Sequence, residues 1–103
     1  MEKIRELADH IDEEICDAKE YAMLALTYKD SDSDLARTYY SLSLEEMDHM
    51  ARLHKSVEEI IKKYREEKGD PPADMMKMYR ILHENQIKRA VEVKNMQTMF
   101  KEG

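Results

Sequence analysis

The sequence of 103 residues is poor in residues that interrupt or cross-link regular structure: it has two glycines, two prolines, one cysteine and no tryptophan. The single cysteine, Cys16, excludes a disulfide within the chain and fits a reducing compartment. Because glycine and proline are so scarce, few positions favour turns, and long helices are expected. A chain of this length is expected to form one domain, spanning residues 1–103.

Long apolar runs and dense basic stripes are also absent. No window approaches the roughly 18 consecutive apolar residues that a membrane-spanning helix needs, and the acidic N-terminal segment is unlike a secretion signal. The net charge is −6, and no Lys/Arg stripe with interleaved aromatic residues occurs, which argues against nucleic acid as a ligand. We therefore expect a cytoplasmic protein without a membrane or nucleic-acid partner.

The abundant Leu, Met, Ala, Glu and Lys predict an all-α fold. Two breaks, at residues 29–34 and around Gly69, divide the chain into helices of about 2–29, 33–67 and 73–101. Asp and Ser at the first break can cap the following helix, and glycine at the second suits a left-handed helix end. Since the first connection is so short, the first two helices are predicted to form a long antiparallel hairpin with the third helix beside it.

Apolar residues recur every three or four positions in each helix, as expected of buried helix faces. The stripe of the second helix is predicted to include Leu35, Tyr39, Leu42, Met50, Leu53, Val57, Ile60, Ile61 and Tyr64. The stripe of the third helix is predicted to include Met75, Met78, Tyr79, Leu82, Val93, Met96 and Phe100, with Gln86 and Arg89 at its centre.

Acidic residues interrupt the apolar stripes of the first two helices. Glu14 lies within the stripe of the first helix. In the segment LSLEEMDH, Glu46 occupies the position at which the stripe of the second helix would otherwise have an apolar residue, and His49 lies on the flank of the same face. In an antiparallel hairpin these three side chains fall at nearly the same height. An ionised carboxylate in an apolar seam costs several kcal/mol unless a cation compensates it. The pattern therefore predicts a metal site with Glu14, Glu46 and His49 as ligands.

Other polar residues near this level have secondary roles. His10 lies one turn before Glu14, Asp17 lies on the flank of the apolar stripe, and Glu20 lies nearly opposite the stripe. These positions are less favourable than that of Glu14, so the three residues are weaker candidates for metal ligands. Tyr21 and Tyr39 lie two turns from the carboxylates and either donate hydrogen bonds to the ligands or simply pack. No residue is assigned a catalytic role.

The motif Glu46-x-x-His49 places a carboxylate and an imidazole on adjacent turns of one helix face. The segment from Glu14 to His49 resembles one half of the ferritin-like fold, nearest to rubrerythrin-type hairpins and short encapsulated-ferritin proteins. The resemblance covers about the first two-thirds of the chain. It implies a bridging or terminal carboxylate for Glu14, a bridging carboxylate for Glu46 and a nitrogen ligand for His49.

The third helix carries no second set of ligands, so the missing half of a dinuclear site is expected from another copy of the chain. The prediction is a ferritin-like four-helix core completed in a homodimer or a multiple of dimers. A di-iron centre is the expected cofactor, with Mn or Zn as alternatives. Ferroxidase-type oxidoreductase chemistry is implied, in which Fe(II) is oxidised by oxygen or peroxide. The alternative is a non-enzymatic, metal-free oligomeric helical module that binds a protein partner, such as a phage or host regulator.

Overall fold

The computed structural model describes residues 2–103, which form three helices: α1 (Glu2–Tyr28), α2 (Ser33–Lys68) and α3 (Ala73–Glu102). The prediction of an all-α fold is confirmed, and no strand occurs between residues 2 and 103. The molecule measures 56 × 19 × 18 Å. None of its helices, over the same residues, is both long enough and apolar enough to cross a lipid bilayer.

The turn between α1 and α2 is fixed by a side-chain cap. The carboxylate of Asp32 accepts a hydrogen bond from the backbone N–H of Leu35 at 3.2 Å, which satisfies one of the free donors at the start of α2. The backbone N–H of Asp32 in turn donates to the carbonyl of Tyr28 at 2.9 Å, at the end of α1. These bonds explain why α2 begins at Ser33, as the sequence predicts.

The connection between α2 and α3 depends on a glycine followed by two prolines. Gly69 has a φ of +85°, and its N–H donates to the carbonyl of Arg65 at 3.1 Å, closing the last turn of α2. The residues Pro71 and Pro72 lack the N–H that would continue the helix, so α3 begins afresh at Ala73.

The buried face of α1 is built largely from small residues, which allow neighbouring helices to approach closely. Near its middle, the buried Ser43 hydroxyl of α2 donates to the carbonyl of Ala18 at 2.7 Å, and Gln97 of α3 donates to the same hydroxyl at 2.8 Å. One short polar chain therefore joins all three helices. The buried residues of α1 are Ile4, Ala8, Ile11, Ile15, Ala18, Ala22 and Ala25.

In the N-terminal half of α2, the buried face is rotated relative to the predicted stripe, which corrects the sequence expectation, whereas Val57 and Ile61 further along are buried as predicted. Leu35, Tyr39 and Leu42 are only half-buried, because the α1 and α3 contacts fall on a neighbouring face that carries Ser43. Glu46 therefore lies at the border of the buried face rather than at its centre. The buried residues of α2 are Ala36, Ser43, Met47, Val57 and Ile61.

The predicted stripe of α3 is wrong at two positions. Met78 and Leu82 are 57% and 40% exposed, because the N-terminal half of α3 lies at the rim of the molecule. The buried positions of this helix are Gln86 and Val93, both on the predicted face, and Gln97, which was not predicted. The two amides donate hydrogen bonds to other helices.

A polar cluster attaches the middle of α3 to α1. The carboxylate of Asp12 accepts hydrogen bonds from Gln86 at 3.1 Å and from Arg89 at 2.9 Å. Further along the same interface, the Lys19 ammonium lies 2.8 Å from the Glu92 carboxylate. The face of α1 that contacts α3 is thus almost opposite the face that carries Glu14, since residues two apart on a helix differ by about 200°.

Candidate metal site

The positions of the three predicted ligands follow from the length of each helix on either side of the turn. Glu14 lies 14 residues before the end of α1 at Tyr28, and Glu46 lies 13 residues after the start of α2 at Ser33. At 1.5 Å per residue, both carboxylates are about 20 Å from the turn. His49 lies one turn further along α2, on the same side as Glu46.

The structure brings Glu14, Glu46 and His49 together. The Nδ1 atom of His49 is 3.6 Å from Oε2 of Glu14 and 3.8 Å from Oε1 of Glu46, and the three donor atoms lie within 4.8 Å of one another. Ligand atoms lie about 2.0–2.2 Å from a bound metal, so two of them are at most about 4.4 Å apart. A small side-chain rotation would close the remaining difference.

Burial makes the two carboxylates costly without a cation. The side chains of Glu14 and Glu46 are 25% and 19% exposed, and the Oε2 atom of Glu14 is fully buried without a hydrogen-bond partner. Their ion-pair partner in the structure is His49, whose side chain is half exposed. An unpartnered buried oxygen favours a positively charged or hydrogen-bonding ligand.

The secondary candidates lie outside this group. His10 is exposed and its Nδ1 lies 3.5 Å from the carboxylate of Glu13, its neighbour on the same helix. Asp17 and Glu20 are both exposed to solvent. Among residues 2–103, no other cluster of three or more acidic, histidine or cysteine side chains has comparably close donor atoms.

The two tyrosines next to the site pack against each other. The rings of Tyr21 and Tyr39 stack with centroids 6.1 Å apart and planes at 22°, and Tyr39 stacks equally closely on Tyr28. The two tyrosines therefore pack, which is one of the two roles that the sequence predicts for them. Together with Tyr28 they form a stack of three aromatic rings between α1 and α2.

A second cluster of titratable side chains lies between α2 and α3, and the sequence pattern did not single it out. It contains His54 and Glu58 of α2 and Tyr79 and His83 of α3. The only local indication of this cluster in the sequence is the spacing of His54 and Glu58, which are four residues apart and therefore neighbours on one helix face. His83 carried no such signal, because its neighbour is on another helix.

Comparisons of the chain with protein-family models, curated proteins and solved structures find no match. The function is therefore inferred from the geometry of Glu14, Glu46 and His49.

Proposed function

We propose that the chain binds a divalent metal ion through Glu14, Glu46 and His49. The observation that carries this proposal is the convergence of two carboxylate oxygens and one imidazole nitrogen within 4.8 Å. A metal ion would neutralise both half-buried carboxylates and occupy the position facing the unpartnered Oε2 of Glu14. Two oxygen donors and one nitrogen donor suit iron or manganese, and zinc also accepts such a set.

We further propose that a second copy of the chain completes the site. One row of half-buried side chains lies on α1 and another on α2, with members seven residues apart in each row. The polar contacts of α3 lie at other positions of these helices, at Asp12 and Ser43. Pairing two copies through these rows would bring together four glutamates and two histidines, the ligand set of a dinuclear carboxylate centre in a four-helix core. We call these rows the heptad face, which consists of Leu7, Glu14, Tyr21, Tyr28, Tyr39, Glu46, Leu53 and Ile60.

The chemistry proposed for this centre is oxidation of Fe(II) to Fe(III), with molecular oxygen or peroxide as the electron acceptor. The carboxylates would hold both oxidation states, and the imidazole would remain as the neutral ligand. The contribution of the chain is to place Glu14 and Glu46 on opposite helices with their oxygens facing each other.

Metal binding tests the first part of the proposal. Metal-free protein titrated with Fe(II) under anaerobic conditions, or with Mn(II), should bind about one ion per chain. Glu14→Gln and Glu46→Gln should each lower the affinity by at least about tenfold. The controls are Glu13→Gln and Glu45→Gln, which alter exposed neighbours and should bind as the wild type does. Equal binding by all five proteins would refute the site.

Oligomeric state tests the second part. Sedimentation equilibrium of the wild type should show a dimer or a multiple of dimers with metal present, and Leu53→Glu on the heptad face should weaken association. Rapid oxygen consumption on addition of Fe(II), lost in Glu46→Gln, would support turnover. Metal binding by a strictly monomeric chain would retain the ligand set and reject the shared centre.

The second candidate function is a metal-free protein-interaction module, which the rim of α3 favours. Met78, Ile81 and Leu82 are 57%, 60% and 40% exposed and lie close together on the N-terminal half of this helix. This candidate predicts that metal neither binds nor changes the oligomeric state, and that Glu46→Gln has no effect on either.

A further inference from the structure

Two histidines from different helices stack face to face between α2 and α3. The ring centroids of His54 and His83 are 4.5 Å apart, and the ring planes differ by 4°. Because a metal binds an imidazole nitrogen in the plane of its ring, two parallel rings do not direct their lone pairs at a common ion. The stack is therefore not a second metal site, and its properties depend on protonation.

The partners of the two rings differ sharply. The Nε2 atom of His54 lies 2.6 Å from the carboxylate of Glu58, and its Nδ1 lies 3.4 Å from the hydroxyl of Tyr79. By contrast, the Nδ1 atom of His83 is buried without any hydrogen-bond partner. His54 therefore has a carboxylate and a hydroxyl as polar neighbours, whereas His83 has no acceptor for an Nδ1–H group.

Protonation of His83 would add charge to an environment that opposes it. Burial lowers the pKa of His83 below its usual value, and the nearby His54 lowers it further, while Glu58 and Glu84 partly offset both effects. Burial and the carboxylate of Glu58 also raise the pKa of Tyr79, which stays neutral and stacks on His83 at 5.7 Å. Next to the two histidines lies a cavity of about 240 Å³, to which α1 contributes the apolar side chain of Ile11.

The stack lies where α3 has few other attachments to α2. At the opposite end of α3, Gln97 donates to Ser43 and Phe100 stacks on Tyr40 at 4.8 Å. The Asp12 carboxylate of α1 is engaged by Gln86 and Arg89, one turn beyond the stack, and does not neutralise it. In the N-terminal half of α3, the contacts with α2 are the His54–His83 stack, the Tyr79 hydroxyl next to His54, and Met76, which lines a cavity together with Ile61.

We propose that the His54–His83 stack is an acid-sensitive latch: it holds the N-terminal half of α3 on α2 at neutral pH and releases it in mild acid. Release would widen the cavity between the two helices and expose its apolar lining. No member of the stack is a proposed metal ligand, and His54 lies more than one turn beyond His49.

The direction of the effect follows from proton linkage. The unfolded chain, with an ordinary histidine pKa of about 6.5, binds a proton more readily than the stacked His83 does. The stabilisation by the stack is therefore complete above about pH 6.5 and decreases as the pH falls below that value. Each unit by which the pKa is lowered corresponds to a tenfold change in the opening equilibrium.

Proton NMR titration of the wild-type histidines tests the latch without any substitution. The resonance of His83 should titrate below the ordinary histidine pKa of about 6.5. A midpoint for His83 at or above about 6.5 would overturn the proposal.

Hydrogen exchange of the full chain then tests release. Between about pH 7.5 and about pH 5.5, after correction for intrinsic rates, opening of residues 75–86 should increase on the order of tenfold relative to residues 93–100. His83→Phe keeps a flat ring but cannot titrate, so this increase should disappear, whereas His10→Gln should retain it. The same increase in His83→Phe and in the wild type would overturn the latch, and the wild-type titration decides the matter if His83→Phe does not fold.

Discussion

The carboxylate of Glu14 has one oxygen shielded from water with no hydrogen-bond partner in the described chain, residues 2–103. When metal is removed, that oxygen keeps its desolvation cost, and the half-exposed His49 imidazole 3.6 Å away compensates only part of it. Glu14→Leu should therefore raise the free energy of unfolding by about 1–2 kcal/mol in a chelating buffer, as measured by urea denaturation. Glu13→Leu, at an exposed neighbouring position, should leave stability almost unchanged. A loss of stability in Glu14→Leu would show that the carboxylate has a favourable partner in the metal-free protein.

Ser43 is the residue through which the three helices share one hydrogen-bonded chain. Ser43→Ala removes the acceptor of the buried Gln97 amide and should cost about 1–3 kcal/mol of stability. The double variant Ser43→Ala with Gln97→Leu removes the stranded amide as well, so it should recover part of that loss. Additive losses in the two single variants and the double variant, measured by urea denaturation, would contradict a direct interaction.

At the scale of whole helices, Asp12 is one of the polar residues that attach α3 to α1. Asp12→Ala removes the carboxylate acceptor, while Arg89 keeps its bonds to the backbone carbonyl of residue 12 and to the Cys16 sulfur, and Gln86 keeps its bond to the carbonyl of Ala8 at 3.2 Å. Since Asp12 and Arg89 are 41% and 30% exposed, the expected loss is only about 1 kcal/mol, and it should shrink in high salt. Hydrogen exchange of α3 should accelerate in this variant and not in Asp9→Ala, which alters an exposed residue.

The ends of the helices could be predicted from the sequence because the signals for them are local. Asp32 caps α2 through its own side chain, and Gly69 adopts the positive φ that its lack of a Cβ permits. The level of Glu14 relative to Glu46 also follows from counting residues to the turn. These features need no knowledge of the third helix.

The faces that α2 and α3 bury could not be predicted by the same reasoning. Hydropathy assigns Ser43 and Gln97 to the surface, yet both are buried because each finds a hydrogen-bond partner on another helix. The pairing of His54 with His83 is likewise a contact between helices, with no periodicity within either one. Whether these side chains are buried is determined by partners that are distant in the sequence.

For the assembled molecule, metal binding and stability are linked. If the native protein binds metal and the unfolded chain does not, free metal at about 100 times the dissociation constant should stabilise it by about 2.7 kcal/mol. Thermal unfolding should therefore occur at higher temperature in Fe(II) or Mn(II) than in a chelating buffer. Glu46→Gln should show no such difference, and an equal shift in that variant would assign the effect to another site.

The dimensions of the single chain, 56 × 19 × 18 Å, describe a rod about three times as long as it is wide. Such a particle experiences more friction than a sphere of the same 12.3 kDa mass, so it elutes early from a sizing column. A monomer would then resemble a dimer in that assay. Two rods joined along the heptad face would instead double the width without adding length, and the pair would be rounder than either member.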